Sequence, residues 1–438
     1  MTNKNYLDFF RQTSPYIHDH RGKTFVIGIS GEAIQEPNFH CMIHDIALLQ
    51  SLGIYIVLVH GARAQINNRL TASDIQSKFK QNIRITDEQA MLCIKEAVGS
   101  VRLTIESKLS MGMPNSSMHG SRVRTIGGNF ITAQPFGVQD GIDFQWAGEV
   151  RKVDKFAIDN HLKSGSMVLI SPLGFSPTGE IFNLNYHELA TSIAVELNAE
   201  KLIFISHPTA LLDKDKLLRS LSLSQLAELQ ETTKEQAQME LLDAASMACH
   251  GGVERVHLVG YAEDGALLSE LFTRDGSGTL ISRECENIIR VATIEDVGGI
   301  LELIAPLEIQ GLLVKRSREL LETEINRFIL VVHPEGLIIG CAALYPTSDE
   351  FLGELACVAV HEDFHDQGIG ARLLAQIENY CKESNMDRLM AMTTKTAHWF
   401  IERGFIEVTI SDLPGSKQEM YNYQRNARIF EKRFNPQP

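Results

Sequence analysis

In the first half of the chain, short apolar runs alternate with amphipathic segments. Residues 23–29 and 54–59 form continuous apolar runs typical of strands buried on both faces, and 43–52 between them has helical spacing. The same rhythm returns at four later segments, namely 167–172, 189–197, 201–206 and 256–260. Strand, helix and strand in this order predict a three-layer α/β domain with an open, mainly parallel sheet.

A different order of elements follows residue 287. The apolar pattern there predicts a mixed α+β domain. The predicted strands are 288–292, 327–333, 337–345, 355–360, 387–392 and a last one at 405–411 or 419–424. The predicted helices are 294–305, 315–325, 369–380 and 395–403.

A Gly-, Ser- and Thr-rich stretch near 274–286 interrupts the first pattern before the second begins. We therefore expect an N-terminal domain over 1–283, a linker at 284–287 and a C-terminal domain over 288–438. A chain of 438 residues is long enough for two or three domains. Apolar side chains at helical spacing within 5–20 also predict a short leading helix, and 221–249 is expected to be helical.

Composition limits the classes of function. A formal net charge of -14 argues against broad nucleic-acid or anionic-membrane binding, and no apolar run reaches the ~18 residues of a membrane span. The seven scattered cysteines show no C-x-x-C spacing, which favours reduced thiols over a disulfide framework or a zinc site. We expect a soluble, cytoplasmic protein without a metal.

The most informative segment is a strand, turn and helix at 354–374. The predicted strand 355–360 enters a polar turn with Gly368 and Gly370, and an amphipathic helix follows. Such a helix start binds anions because its N–H groups are free and the helix dipole is positive there. The turn lacks the Gly-Lys-Ser/Thr of a P-loop and the context of a dinucleotide fold. It resembles the acetyl-CoA signature of the GNAT acyltransferase superfamily.

That resemblance implies acetyl-CoA as a co-substrate. It places the pyrophosphate at a turn in which His365 stands where arginine is usual and Asp366 where glycine is frequent. It also implies that one short strand pairs its backbone with the pantetheine arm. The cofactor-binding residues expected on this basis are Val358, Ala359, Val360, His365, Gln367, Gly368, Ile369 and Gly370.

Acetyl transfer from a thioester to an amine needs few catalytic groups. An amine with a pKa near ~10 must lose a proton before attack, and Glu354 at the strand start is the candidate general base. A solvated glutamate is the alternative. Many GNAT enzymes protonate the leaving thiolate with a tyrosine on the following helix, but 393–405 contains none. Thr393 or a water remains the candidate acid.

Two short motifs narrow the substrate. Segment 306–322 places two arginines and a lysine at a helix start, and 421–425 reads Tyr-Asn-Tyr-Gln-Arg. Together with 393–405 they resemble the bacterial N-acetylglutamate synthase family. The resemblance implies that Arg316 and Arg425 bind the two carboxylates of L-glutamate, which guanidinium groups hold bidentately.

Two further residues of the same pocket follow from this resemblance. Leu313 and Cys357 are expected to offer backbone contacts to the substrate. An acetyl-cysteine route through Cys357 is conceivable, but an apolar neighbourhood favours an inert thiol. We therefore expect direct attack of the amine on the thioester.

Residues 1–280 resemble the amino-acid kinase family, nearest to N-acetylglutamate kinase, in motifs such as Val59-His-Gly-Ala-Arg-Ala-Gln-Ile. A working kinase of that type has a lysine where this chain has Gly28 and an aspartate where it has His187. Its Gly-Gly-Gly loop is here Gly61-Ala-Arg. Because phosphoryl transfer depends on positioned charge, we expect the fold without the kinase chemistry.

In the resembled family such a domain binds L-arginine, the end product of the pathway. The residues implied for that allosteric site are Tyr16, Lys201, Glu270, Gly276 and Gly278. Glu270 is expected to pair with the guanidinium and the loop amides with the carboxylate. For Tyr16 and Lys201 alone, a packed aromatic and a strand-end charge remain equally open.

The sequence therefore predicts an acetyl-CoA:L-glutamate N-acetyltransferase for the first step of arginine biosynthesis, inhibited by L-arginine through the N-terminal domain. The resemblance also implies a homo-oligomer, with a hexamer as the expected assembly. Three alternatives stay open, which are a GNAT enzyme for another amino acid or for protein lysines, an acetylglutamate kinase, and a non-catalytic arginine sensor. The sign of the arginine effect is not fixed by the sequence.

Overall fold

The chain divides into two compact units, Met1–Cys285 and Glu286–Pro438. The computed structural model describes residues 13–80, 82–111, 120, 123–207, 209–213, 216–273, 276–282, 287–333, 336–365, 368–413, 418 and 427–434. Residues 284–286 of the expected linker lie outside these ranges, so the limits of the domains stay a prediction.

The N-terminal unit alternates strands and helices along most of its length. Its strands are β1 Thr24–Ile29, β2 Tyr55–His60, β3 Lys78–Lys80, β4 Ile83–Ile85, β5 Thr125–Ile126, β6 Ile131–Pro135, β7 Val138–Gln139, β8 Ile142–Asp143, β9 Gly148–Val153, β10 Met167–Ile170, β11 Leu173–Phe175, β12 Ile181–Asn183, β13 Lys201–His207, β14 Leu212–Asp213, β15 Lys216–Leu217, β16 Ser220–Ser222, β17 Arg255–Gly260 and β18 Thr279–Ser282. Its helices are α1 at 13–20, α2 Gly31–Gln35, α3 Phe39–Ser51, α4 Arg63–Ala72, α5 Glu88–Leu109, α6 Lys155–Lys163, α7 Tyr186–Leu197, α8 Leu223–Thr232, α9 Gln236–His250 and α10 Ala266–Phe272.

Eight strands form the main sheet of this unit, in the order β16-β18-β17-β13-β1-β2-β10-β5. The central strands pair in parallel, which confirms the predicted α/β class. They are mostly apolar because helices cover both faces, and each face has its own hydrophobic core. The carboxyl ends of such strands are where ligands bind in open α/β sheets.

Two details of the N-terminal unit differ from the sequence prediction. Strand β18 lies inside the Gly- and Ser-rich stretch and pairs antiparallel with β17. Its four apolar and hydroxyl residues are buried, but the surrounding turn residues hid so short a strand. The segment 221–249, expected to be helical, begins with the last residues of strand β16 and continues as the two helices α8 and α9.

The C-terminal unit has the predicted α+β order. Its strands are β19 Ile288–Val291, β20 Phe328–Val332, β21 Ile338–Pro346, β22 Leu352–Val360, β23 Arg388–Thr393, β24 Ile406–Val408 and β25 Arg428–Arg433. Its helices are α11 Val297–Ile309, α12 Arg318–Glu324, α13 Ile369–Glu383 and α14 Ala397–Ile401. The sheet order is β19-β20-β21-β22-β23-β25-β24, and only β22 and β23 pair in parallel.

The end of this sheet corrects the prediction of the last strand. β24 is a three-residue edge strand within the expected 405–411, whereas 419–424 lies outside the described ranges. The prediction missed β25, which runs between β23 and β24. Four of its six residues are charged, and this charge masked the buried pair Ile429 and Phe430.

A bulge in β22 determines the geometry of the sheet centre. The register of β22 with β21 shifts opposite Ala342, and Cys357 has a left-handed φ of +52°. Towards β23, the register of β22 ends at Leu355 among the residues that the structure describes. Towards β21 it continues to Val360. The last part of β22 therefore has one backbone edge without a strand beside it.

No helix in the described ranges is both long and apolar enough to cross a membrane.

Candidate active and effector sites

The open edge of β22 and the start of α13 form a continuous site in the C-terminal unit. Gly368 is the N-cap of α13, with φ +74° and no side-chain capping hydrogen bond. Among the residues that the structure describes, apart from the chain neighbours of Gly368, nothing lies within 4 Å of the position that its Cβ would occupy. The amides of the first turn are thus available for an anion.

The remaining residues of the predicted cofactor turn have mixed roles. His365 Nε2 donates to the carbonyl of Val360 at 3.1 Å, which ties the turn to the strand. Ile369 is core, and a Cβ on Gly370 would lie 3.1 Å from the Trp399 ring, so both pack α13 against the unit. Gln367 lies outside the described residues.

Val358 and Val360 alternate with Ala359 along β22, and Ala359 is buried. On the β21 side, Val360 pairs with Gly340 and Ala359 with Cys341. The opposite edge of this segment carries the backbone groups that the sequence prediction assigned to a pantetheine arm. The structure brings that edge and the helix start together.

Glu354 lies on the same strand, before the bulge. Its side chain is 8% exposed, so it is buried and not a solvated strand-start glutamate. It pairs with Tyr345 across β21 and with Met390 along β23. A carboxylate in this position is shielded from bulk water and adjoins the open edge, as a general base requires.

Arg316 lies directly before α12, which begins after Ser317. Its backbone N–H donates to Glu308 Oε1 at 2.9 Å, and its guanidinium donates to the carbonyl of Val314 at 3.3 Å. Burial acts to lower the pKa of Arg316, but the Cys357 thiol and the Tyr345 phenol raise it above its ordinary value. The side chain is therefore a fixed cation beside the bulge.

Leu313 packs against the core that contains Cys357. Its N–H donates to the carbonyl of Leu307 at 3.2 Å. Because the amide hydrogen is already engaged, the carbonyl is the backbone group through which Leu313 can meet a substrate. The structure brings Leu313, Arg316 and Cys357 to one face of the sheet.

Cys357 is 5% exposed and contacts Cys341 on the neighbouring strand, whose Sγ donates to the Cys357 carbonyl at 3.5 Å. A hydrogen bond from Cys341 lowers the pKa of the Cys357 thiol and outweighs burial, with a further contribution from Arg316. The neighbourhood is thus not purely apolar as expected. Sequence patterns could not indicate this, because Cys341 and Arg316 approach Cys357 only in the folded structure.

Thr393 lies at the end of β23. Its hydroxyl accepts hydrogen bonds from the backbone N–H groups of Lys395 at 3.3 Å and Thr396 at 3.1 Å, and lies 2.8 Å from the Thr396 hydroxyl. These contacts give Thr393 a role in the turn before α14, whatever its part in catalysis. Arg425, the second expected substrate arginine, lies outside the described residues.

Tyr345 was missed by the sequence analysis. Its hydroxyl donates to Glu324 Oε2 at 2.7 Å, and burial followed by Glu324 raises its pKa to about 12. It stands directly opposite Glu354 in the β21–β22 register. That register follows from the bulge and the connecting loop, so strand alternation alone does not reveal the pair.

In the N-terminal unit, two predicted effector residues meet around one that was not predicted. Lys201 Nζ donates to His257 Nε2 at 3.1 Å, and His257 Nδ1 donates to Glu270 Oε1 at 2.7 Å. All three side chains are more than nine-tenths buried. His257 lies on β17, next to β13 in the sheet, and connects Lys201 with Glu270. The sequence did not indicate this connecting role, because His257 lies within a continuous strand.

The glycine loop closes over Glu270. Burial alone would raise the pKa of Glu270, but His257 and the amides of Gly278 and Ser277 lower it. Those amides donate to Glu270 Oε2 at 2.6 and 2.9 Å. In this arrangement they are engaged by Glu270, contrary to the expectation that they take an effector carboxylate. A Cβ on Gly276, which has φ +58°, would lie 2.5 Å from Glu270 Oε2, so only glycine fits.

Helix α1 brings Tyr16 to the same region. Its ring centroid lies 6.4 Å from that of His20, which packs edge-on against Phe25 and is 3% exposed. Burial, and then Lys201, lower the pKa of His20 to about 3, so the ring is neutral. Its Nδ1 is buried with no hydrogen-bond partner among the described residues. A buried, unpaired ring nitrogen is a place for a ligand or a water.

Aromatic rings fill the region that corresponds to the kinase centre. A Cβ on Gly28 would lie 2.9 Å from the Phe204 ring, and one on Gly61 would lie 3.1 Å from the Tyr186 ring. The His187 ring lies 5.3 Å from Phe204. Burial lowers the pKa of His187 to about 3, so it supplies neither charge that phosphoryl transfer needs.

Across the described part of the chain, no group of three or more His, Cys, Asp or Glu side chains is arranged to hold a metal ion. The expectation of a protein without a metal stays a prediction.

Comparisons with known proteins agree on both units. Residues 23–260 match the amino acid kinase family and residues 300–405 match the acetyltransferase (GNAT) family. Amino-acid acetyltransferases of Azotobacter vinelandii and Ectopseudomonas mendocina are 51% and 50% identical to this chain, each over 98% of it and 99% of the relative.

Two solved structures of N-acetylglutamate synthase from Neisseria gonorrhoeae are also similar to this chain, each over 98% of it and 99% of the solved chain. One, complexed with coenzyme A and L-arginine, is 37% identical with a TM-score of 0.83. The other, complexed with coenzyme A and N-acetyl-glutamate, is 38% identical with a TM-score of 0.62.

Proposed function

The chain belongs to the amino-acid acetyltransferase family, and from that premise we propose that it is an acetyl-CoA:L-glutamate N-acetyltransferase, the enzyme of the first step of arginine biosynthesis. The observation that carries the proposal is the full-length similarity to a synthase complexed with coenzyme A and N-acetyl-glutamate. The open β22 edge beside an uncapped α13 supports it independently.

Acetyl-CoA is the co-substrate. The backbone at 358–360 pairs with its pantetheine arm, and the amides at the start of α13 bind its pyrophosphate, with Gly368 leaving room for the phosphates. Gly370 belongs to the same turn, and Gln367 is assigned to cofactor binding by its motif alone. His365 holds the turn against Val360 through its Nε2 and is part of the cofactor-binding turn.

Glu354 is the general base. It takes a proton from the substrate ammonium, directly or through a water, and the free amine attacks the thioester carbon. The new C–N bond forms, the attacking nitrogen gives up its second proton and the C–S bond breaks. That proton reaches the leaving thiolate through Thr393 or a water, so neither relay group is left deprotonated. Holding both substrates in line supplies most of the acceleration, because the thioester is already activated.

L-Glutamate is recognised by its two carboxylates. Arg316 binds one of them, and Arg425 binds the other on the strength of its motif. The Leu313 carbonyl and the backbone of Cys357 contact the amine end of the substrate. The Cys357 thiol takes no covalent part, since the amine reaches the thioester directly.

L-Arginine binds to the N-terminal unit and inhibits the enzyme. The site includes Lys201, Glu270, the loop with Gly276 and Gly278, and Tyr16 on α1. The similar synthase complexed with L-arginine supports this assignment, and so does the unpaired Nδ1 of His20. Because Glu270 already holds two loop amides, an effector carboxylate needs another donor, and Lys201 is the nearest cation of this cluster.

The N-terminal unit has no kinase chemistry in this proposal, because Phe204, Tyr186 and His187 fill the place of the lysine and aspartate. We also assign the protein to the cytoplasm, as a homo-oligomer and by resemblance a hexamer.

Coenzyme A thiol release with a panel of amino acids, with and without L-arginine, tests the proposal. L-Glutamate is expected to give the highest rate and L-arginine to reduce it. A higher rate with another amino acid would assign a different substrate. No release at all, with arginine binding intact, would indicate a sensor, and ATP consumption with acetylglutamate would indicate a kinase.

A further inference from the structure

Trp399 on α14 packs directly against the glycine turn at the start of α13. Among the described residues, and apart from the chain neighbours and own helix of Gly370, the three atoms nearest to its Cβ position all belong to the Trp399 ring. They are Cζ2 at 3.1 Å, Cε2 at 3.7 Å and Nε1 at 3.9 Å. A methyl group at this position would press on the ring. The glycine thus leaves room for the indole, and the indole supports the backbone of the turn.

The indole ring is itself held in place. The guanidinium carbon of Arg403 lies 4.2 Å from the ring centroid, and Arg403 Nη1 donates to the Trp399 carbonyl at 3.0 Å. The buried Phe400 ring meets the indole edge-on, with the two centroids 5.0 Å apart. Cation–π and edge-to-face contacts both favour a defined ring orientation. Trp399 is therefore a rigid support for the residue against which it lies.

The supported turn is the one that carries the free amides of α13. Gly370 is the second residue of the helix, and the N-cap Gly368 makes no side-chain capping hydrogen bond. The amides of Ile369, Gly370 and Ala371 have no acceptor within the helix because they belong to its first turn. Trp399 lies against the middle residue of these three from another helix. The position of the ring thus determines where these amides stand.

We propose that Trp399 is a positioning residue for acetyl-CoA, which holds the first turn of α13 in the geometry that its amides need to bind the pyrophosphate. This inference rests on the proposed function. Donors that are fixed before the ligand arrives lose less conformational freedom on binding, so the affinity rises. The pantetheine arm separates the pyrophosphate from the thioester. We therefore expect Trp399 to act on coenzyme binding and not on the chemical step.

Steady-state kinetics of Trp399→Leu test the inference. The variant loses the support of the turn, so the KM for acetyl-CoA is expected to rise about 3- to 10-fold, as for weakened hydrogen bonds to the ligand. The kcat and the KM for L-glutamate should change less than about twofold. Phe351→Leu removes an aromatic ring of the same unit that is 55% exposed, and this matched control should behave as wild type. An unchanged acetyl-CoA KM in Trp399→Leu would overturn the proposal.

Gly370→Ala tests the same contact from the other side. Its Cβ would lie 3.1 Å from the indole, so ring and turn must move apart, and the acetyl-CoA KM should again rise about 3- to 10-fold. In a Trp399→Leu background the same substitution should add no more than about twofold, because the smaller side chain leaves room for the methyl group. The full effect in that background would overturn the proposal, and so would an unchanged acetyl-CoA KM in Gly370→Ala alone.

Tryptophan fluorescence gives a readout that does not depend on turnover. The chain has two tryptophans, so Trp146→Phe in the N-terminal unit leaves Trp399 as the one indole. Titration with coenzyme A should change its emission saturably, at the dissociation constant that calorimetry gives for the same variant. Coenzyme A binding without a change in emission would overturn the proposal.

The fluorescence titration also decides the question if Trp399→Leu unfolds, which a thermal melt reports. If Trp146→Phe unfolds instead, the emission of wild type minus that of Trp399→Leu supplies the same signal. Failure of the proposed function is distinct from these outcomes. Wild type would then release no thiol with L-glutamate, whereas coenzyme A would still change the emission of Trp399.

Discussion

Replacing Glu270 by alanine removes the acceptor of three hydrogen bonds at the proposed effector site. The amides of Ser277 and Gly278 and the His257 ring N–H then lose their partner. The His257 and Glu270 side chains are more than nine-tenths buried. Each buried polar group left unpaired costs about 1–3 kcal/mol, and breaking such a network typically costs about 3–5 kcal/mol in all.

The expected fall in melting temperature follows from these free-energy costs. At about 2–4 °C per kcal/mol for a unit of this size, the Tm of Glu270→Ala should fall by about 6–20 °C. Glu270→Gln keeps one acceptor oxygen but turns an amide N–H₂ towards donors, so its Tm should fall by an intermediate amount. Glu254→Ala, an exposed glutamate in the same unit, is the matched control and should stay within about 0.5 kcal/mol of wild type.

Thermal unfolding with and without L-arginine is the assay. A ligand present at 100 times its Kd stabilises the folded protein by about 2.7 kcal/mol, and this increment should disappear in both Glu270 variants. A Tm of Glu270→Ala equal to that of the Glu254→Ala control would refute the reasoning about the network. An unchanged arginine increment in both Glu270 variants would refute the assignment of the site.

The same carboxyl gives a pH dependence with a definite sign. The pKa of Glu270 is lowered in the folded protein, so its stabilisation is complete above the ordinary glutamate pKa of about 4.5. It is lost as the pH falls through the lower folded value. Below about pH 4.5, wild type should therefore lose stability more steeply than Glu270→Gln, and equal slopes would contradict the assigned shift.

Three further variants test the proposed acetyl transfer and the proposed lack of kinase activity. Glu354→Gln should lower kcat by about 10²- to 10⁴-fold with little change in the glutamate KM, as measured by thiol release, and an unchanged kcat would remove it as the base. Arg316→Lys should raise the glutamate KM less than Arg316→Ala, because lysine keeps the charge and loses the planar fork; equal values in both would speak against bidentate binding. Gly28→Lys should lower the free energy of unfolding by about 1–3 kcal/mol in denaturant titration, because the new Cβ would lie 2.9 Å from the Phe204 ring. The variant should also form no ADP from ATP. ADP formation would show that the kinase centre can be restored.

The strand, turn and helix at 354–374 could be predicted because the pattern is local. Its strand and helix appear within a few residues of the expected limits, and Gly368 has the left-handed backbone that a glycine turn requires. The bulge at Cys357 could not be predicted, since it depends on the pairing with β21. The open edge that makes this segment a site depends on where β22 and β23 part, which is also a property of the sheet.

The residues that sequence reasoning missed are joined by tertiary contacts. His257 connects Lys201 to Glu270 from a neighbouring strand, 56 residues after Lys201. Tyr345 reaches Glu324 across 21 residues. Neither has a motif of its own, and each acquires its role only when strand order and register are known.

The central claim is that this chain moves an acetyl group from acetyl-CoA to the amine of L-glutamate. Its most direct test follows isotope from labelled acetyl-CoA into N-acetyl-glutamate while thiol release is counted in the same reaction. We expect one labelled product for each thiol released, with both rates reduced in parallel in Glu354→Gln. Thiol release without labelled N-acetyl-glutamate, or label in the product of another amine, would contradict it.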